Sequence, residues 1–136
     1  MSMDSRYTIA LFGEAEKGEF RTPCFCTSIQ QLMDNVGNPP PHTQGIFYAI
    51  QALLFERALI FFRVREEGYS YADYLQGVRL LEKRELFSGL TAICLPGVGD
   101  TEIIEALNPL CSAYHSLLIT NAADLYDYLS CSKVFF

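Results

Sequence analysis

The sequence predicts an α/β fold, a Rossmann-like or flavodoxin-like three-layer sandwich with a mainly parallel sheet of about four to five strands. Three apolar runs carry this expectation: Ala58 to Val64, Leu90 to Leu95 and Ser116 to Thr120 each pass within a few residues into a helix start. Strands that alternate with capped helices are the pattern of a parallel sheet. Their nearly continuous apolar character adds that both faces of the sheet are covered.

Tyr7 to Phe12 reads as the first strand, apolar except for Thr8, and Gly13 ends it. Glu14 to Cys26 admits two readings. In one, Phe20 to Cys26 returns as an antiparallel strand that Pro23 would confine to an edge. In the other, which is preferred, the segment is a loop draped over the end of the sheet. Thr27 and Ser28 offer caps for a helix through Val36, with Ile29, Leu32, Met33 and Val36 on one stripe and Gly37 as its stop. Pro39, Pro40 and Pro41 make a stiff extended turn. Thr43 then caps a helix to about Phe55, whose Ile46, Phe47, Ile50, Leu53 and Leu54 follow helical spacing.

The run at Leu59, Ile60, Phe61, Phe62 and Val64 predicts a central strand. Ser70 with Asp73 resembles a capping box and opens a helix through about Glu85, in which Gly77 permits close contact with the sheet. Leu90 to Leu95 is the next strand, stopped by Pro96 and Gly97. Asp100 caps Thr101 to Leu107, Asn108 and Pro109 break or restart that helix, and Leu110 to Tyr114 follow. After the strand Ser116 to Thr120, Asn121 with Asp124 caps a last helix to about Leu129.

A length of 136 residues fits one α/β domain spanning 1–136. Sixteen acidic against ten basic side chains give a net charge of −6, which repels phosphate backbones and anionic lipid, so nucleic acid and membranes are not expected partners. No apolar run reaches the ~18 residues of a bilayer span, and the polar start, Met1 to Arg6, lacks a secretory signal, which predicts a cytoplasmic protein. Five cysteines form an odd, irregularly spaced set and read as reduced thiols. Half the residues are hydrophobic. Such an apolar composition in a small domain predicts a homo-oligomer, with Phe135, Phe136, Tyr126 and Tyr128 as candidate interface aromatics.

Ligands of parallel α/β sheets bind at the carboxyl ends of the strands, so the candidate site residues are sought there. Gly13 and Gly18 have the separation of a phosphate loop, but Lys17 precedes the second glycine and Glu14, Glu16 and Glu19 would repel phosphate. Glu14, just past the first strand, could accept hydrogen bonds from ribose hydroxyls or act as a general base. Gly97, Gly99 and Asp100 form a glycine turn into a helix, where backbone amides could approach an anion. An ordinary helix cap is the favoured reading of Asp100, and capping explains Asn121 well. Arg63 and Arg65 share a strand face and could offer a guanidinium, or could pair with Glu66 and Glu67 in a surface cluster. Tyr69 and Tyr71, at a helix entrance, read as packing residues. Cys24 and Cys26 with His42 lack a second ligand pair, so no metal site is predicted, and no fingerprint names a cofactor.

These residues lead to the expectation of a small polar metabolite, nucleotide-like or sugar-like, held by Gly13, Arg63, Gly97, Gly99 and Asn121. Glu14 and Asp100 are the candidate carboxylates for hydrolysis or transfer. The alternative is a non-catalytic homo-oligomeric interaction module.

Overall fold

The computed structural model describes residues 7–20, 22–83, 87 and 89–131. Its strands are β1 (Thr8–Gly13), β2 (Cys24–Cys26), β3 (Ala58–Arg63), β4 (Leu90–Cys94) and β5 (Leu117–Ile119), and its helices are α1 (Ile29–Val36), α2 (Gly45–Leu54), α3 (Tyr71–Leu81), α4 (Thr101–Tyr114) and α5 (Ala122–Cys131). One sheet of order β2-β3-β1-β4-β5 results, parallel throughout except for β2, which lies antiparallel to β3. The fold is thus the mostly parallel three-layer sandwich that the apolar runs predict.

Period-two alternation sorts the core into two layers. Ile9, Leu11, Leu59 and Phe61 point to the side covered by α1, α2 and α5. Ala10, Phe12, Ile60 and Phe62 point to the side covered by α3 and α4. Gly77 of α3 lies directly over Phe12, and a Cβ there would stand 2.2 Å from Phe12 Cε2. Close helix contact is therefore its physical role.

Several local expectations are corrected. After β1, Phe20 makes an isolated parallel bridge to Arg63, and Cys24–Cys26 pairs antiparallel with β3 and not with β1, so it is an edge strand without being half of a hairpin with β1. α4 runs unbroken through Pro109. Its buried stripe, Ile103, Leu107 and Leu110, continues across the proline, while Glu105, Asn108 and Pro109 face solvent, where water can serve the carbonyl that Pro109 leaves without a donor. Gln44, not Thr43, is the N-cap of α2, and Thr43 Oγ1 donates instead to the Pro40 carbonyl. Ser70 makes no cap bond to α3; its hydroxyl exchanges hydrogen bonds with the Glu66 backbone. α3 ends at Leu81 with Glu82 as its C-cap, short of the expected Glu85, and of that extension only Arg84 and Glu85 lie outside the described residues. Of the candidate interface aromatics, Tyr128 is buried with its hydroxyl meeting Thr91, Tyr126 is exposed, and Phe135 and Phe136 lie outside the described residues. Tyr69 and Tyr71 are exposed as well, so they do not serve as packing at the entrance of α3.

Candidate functional site at the strand exits

The parallel strands leave the sheet in the spatial order β3, β1, β4, β5, so the chain reverses direction between β1 and β4. Helices following those two strands lie on opposite faces, an arrangement that usually leaves a crevice between the exits. Here the loop after β3 crosses that place. Glu67 reaches the β1 exit and the start of α2, while Gly68 abuts the turn after β4 so closely that a Cβ would stand 2.7 Å from the Gly97 carbonyl oxygen. Gly68 has φ +91, and its N–H donates to the buried Tyr74 hydroxyl at 2.7 Å.

Glu67 is the centre of this closure. Its carboxylate accepts from Gln44 N at 2.6 Å, Gly45 N at 3.1 Å and Glu14 N at 3.0 Å. In return Glu67 N donates to Glu14 Oε2 at 2.9 Å. A side chain from a distant loop thereby satisfies the first amides of α2, whose own N-cap makes no side-chain bond and whose first turn has no acid. Backbone proximity makes this possible: a Cβ on Gly45 would lie 2.8 Å from both Gly13 Cα and Glu67 Oε1. Gly13 and Gly45 are small because strand exit and helix start touch.

Burial holds the Glu67 carboxyl above the ordinary carboxylate range; the amides of Gln44, Glu14 and Gly45 pull it down, and the charge of Glu14 pushes it up. Since the folded value exceeds the unfolded value of about 4.3, the stability from this group is fully present below about pH 4.3 and is lost as pH rises through the raised value. Wild type should lose stability relative to Glu67→Gln, which does not titrate, as pH is raised across that window. Urea denaturation of both proteins at a series of pH values checks this; a constant difference would contradict it.

Beside the closure lies an open cavity of about 470 Å³ at the exits of β1 and β3, lined by Glu14, Glu16, Phe20, Asn38, Arg63 and Arg65 with Pro39, Pro40 and Pro41 as a rigid wall. Two guanidinium groups pack on the Phe20 ring, with Arg63 Cζ at 4.3 Å and Arg65 Cζ at 4.6 Å from its centre. Arg63 donates to the carbonyls of Gly18 at 2.6 Å and Ala15 at 3.1 Å, which pins the loop after β1. Its Nε is buried without a hydrogen-bond partner. Arg65 pairs with Asp73 at 2.6 Å, so the expected ion cluster with Glu66 and Glu67 is replaced by a contact to α3. Glu16 Oε1 accepts from Asn38 N at 2.8 Å, and the Glu16 and Lys17 amides donate to Val36 O. The acidic loop is stitched to its surroundings rather than merely solvated.

Of the residues singled out from sequence, the fold brings Gly13, Glu14 and Arg63 together. Glu14 and Arg63 line the cavity, and Gly13 carries the contact with α2. Gly97, Gly99, Asp100 and Asn121 stand at the exits of β4 and β5 and do not line it. Asp100 Oδ1 caps α4 through Glu102 N at 2.8 Å, and Asn121 Oδ1 accepts from Asp124 N at 2.8 Å. Sequence reasoning missed Glu67, Phe20 and Asn38. The weak start of α2, Gln44 followed by Gly45, was the one available sign that an anion must come from elsewhere.

No protein-family model, curated protein or solved structure matches this chain significantly. Among the described residues no helix is long and apolar enough to cross a membrane.

Proposed function

We propose that the protein binds a small polar metabolite with hydroxyl groups, a nucleoside-like or sugar-like molecule, at the exits of β1 and β3. The observation that carries this reading is the cavity of about 470 Å³ in which Glu14, Glu16 and Asn38 face Arg63, Arg65 and an aromatic and proline surface. Its size suits a metabolite, and apolar walls with a few polar groups suit a ring bearing hydroxyls. Glu14 is the carboxylate placed to accept from a hydroxyl and, if the ligand is turned over, to act as a general base for hydrolysis or transfer. A phosphate is the less favoured part of such a ligand, because Glu67 already occupies the amides of α2.

Thermal denaturation with a panel of nucleosides, nucleotides, sugars and sugar phosphates tests the reading. A ligand at about a hundredfold its Kd should stabilise the fold by about 2.7 kcal/mol, a rise of roughly 10 °C in Tm. Asn38→Ala and Glu14→Gln should abolish the shift, while Asp100→Ala, away from this cavity, should retain it. Silence across the panel would remove the proposal.

A further inference from the structure

We propose that Cys24 and Cys26 form a redox-active dithiol on the edge strand β2, oxidised to an intrastrand disulfide by low-molecular-weight disulfides that reach Cys24 through the cavity beside it. Residues two apart on a strand share a face, and the two sulfur atoms stand 3.7 Å from one another, while Phe25 between them points away and is exposed. The pair is asymmetric. Cys24 is half-buried and lines a cavity of about 240 Å³ together with Lys17, Glu19, Asn35 and Arg63. Cys26 is 1% exposed, within the layer under α1. Among the described residues, Lys17 and Arg63 give the cavity two cationic side chains against one acid, which suits the carboxylates of a peptide disulfide.

The order of events follows from this asymmetry. The Cys24 thiolate attacks one sulfur of the small disulfide, forming a Cys24 mixed disulfide and breaking the small S–S bond, and the departing thiolate takes up a proton. Cys26 then attacks Cys24 Sγ, the protein disulfide forms, and the second small thiolate leaves with the Cys26 proton. Two protein thiols are oxidised and one small disulfide is reduced to two thiols. Burial, with a further contribution from Cys24, pushes the Cys26 thiol up to about 12, so Cys26 serves as the resolving partner and not as the first nucleophile.

Position in the sheet makes closure reversible. Two rises of an extended strand separate alternate Cα atoms by roughly 6.7 Å, at the upper end of the roughly 4.4–6.8 Å a disulfide spans. Closure must pinch the strand, and a pinched disulfide is the reducible kind. β2 can yield because it has three residues and a neighbour on one side only.

The test uses the full chain with oxidised glutathione, followed by alkylation and peptide mapping by mass spectrometry. Wild type should end as a Cys24–Cys26 disulfide with reduced glutathione released, and dithiothreitol should restore both thiols. Cys26→Ala should stop at a stable glutathione adduct on Cys24. Cys24→Ala should react at Cys26 slower by at least about tenfold. The wild-type map stands even if a variant fails to fold. A lasting Cys24 adduct in wild type, a bridge from Cys24 to another cysteine, or a Cys24 that reacts only after unfolding in urea would each overturn the proposal.

Discussion

Phe12→Ala is expected to cost about 4 kcal/mol of stability, the range for truncating a fully buried aromatic side chain. Phe12 is fully buried in β1, with ring centres of Phe62 at 4.7 Å and Tyr74 at 5.4 Å in stacked geometry. Stacking adds about 1 kcal/mol to the loss of buried area. Because Gly77 sits on the ring, the same contact can be probed from the other side. Gly77→Ala should cost about 2 kcal/mol in wild type, since its methyl group would overlap Phe12 Cε2. In the Phe12→Ala background it should instead gain about 1 kcal/mol from helix propensity. Urea midpoints at constant m value measure all four proteins. Equal effects of Gly77→Ala in both backgrounds would show that the two residues do not limit one another.

Glu67→Ala should cost about 3 kcal/mol, because it leaves the amides of Glu14, Gln44 and Gly45 without their acceptor at a partly buried place. Water reaching the outer amide and relief from burying the charge keep the figure below the sum for three lost bonds. Hydrogen exchange at those three amides should accelerate while the centre of β1 stays protected. Inorganic phosphate should partly restore the variant, since a vacated helix start attracts anions, and should leave wild type unchanged. Restoration of neither stability nor amide protection by phosphate would argue that the carboxylate acts through the loop after β3 alone.

The layers and the parallel strands were legible because they rest on local regularities. Ile9 and Leu11 against Ala10 and Phe12 is a period of two, and Asp100 and Asn121 announce their helices by residue type. The candidate site was legible in part. Glu14, just past β1, and Arg63, the last residue of β3, could be found from their places at strand exits. Glu67 could not, because its partners are backbone amides that carry no side-chain signal, 53 and 23 positions away in the chain. Nor could the run through Pro109, where a solvent-facing carbonyl removes the usual reason for a helix to stop. The placement of β2 beside β3 depends on a pairing between distant segments, and three residues with Pro23 before them are too few to announce a strand.

The outermost strands, β2 and β5, are each three residues long. Another molecule adding itself alongside either one would find only a few ladder bonds to share, so lateral growth into intermolecular sheets and fibrils is disfavoured at both borders. On the helical layers Phe47, Leu54 and Tyr126 are each more than half exposed, on α2 and α5, as are Phe25 and Leu117 on the edge strands themselves.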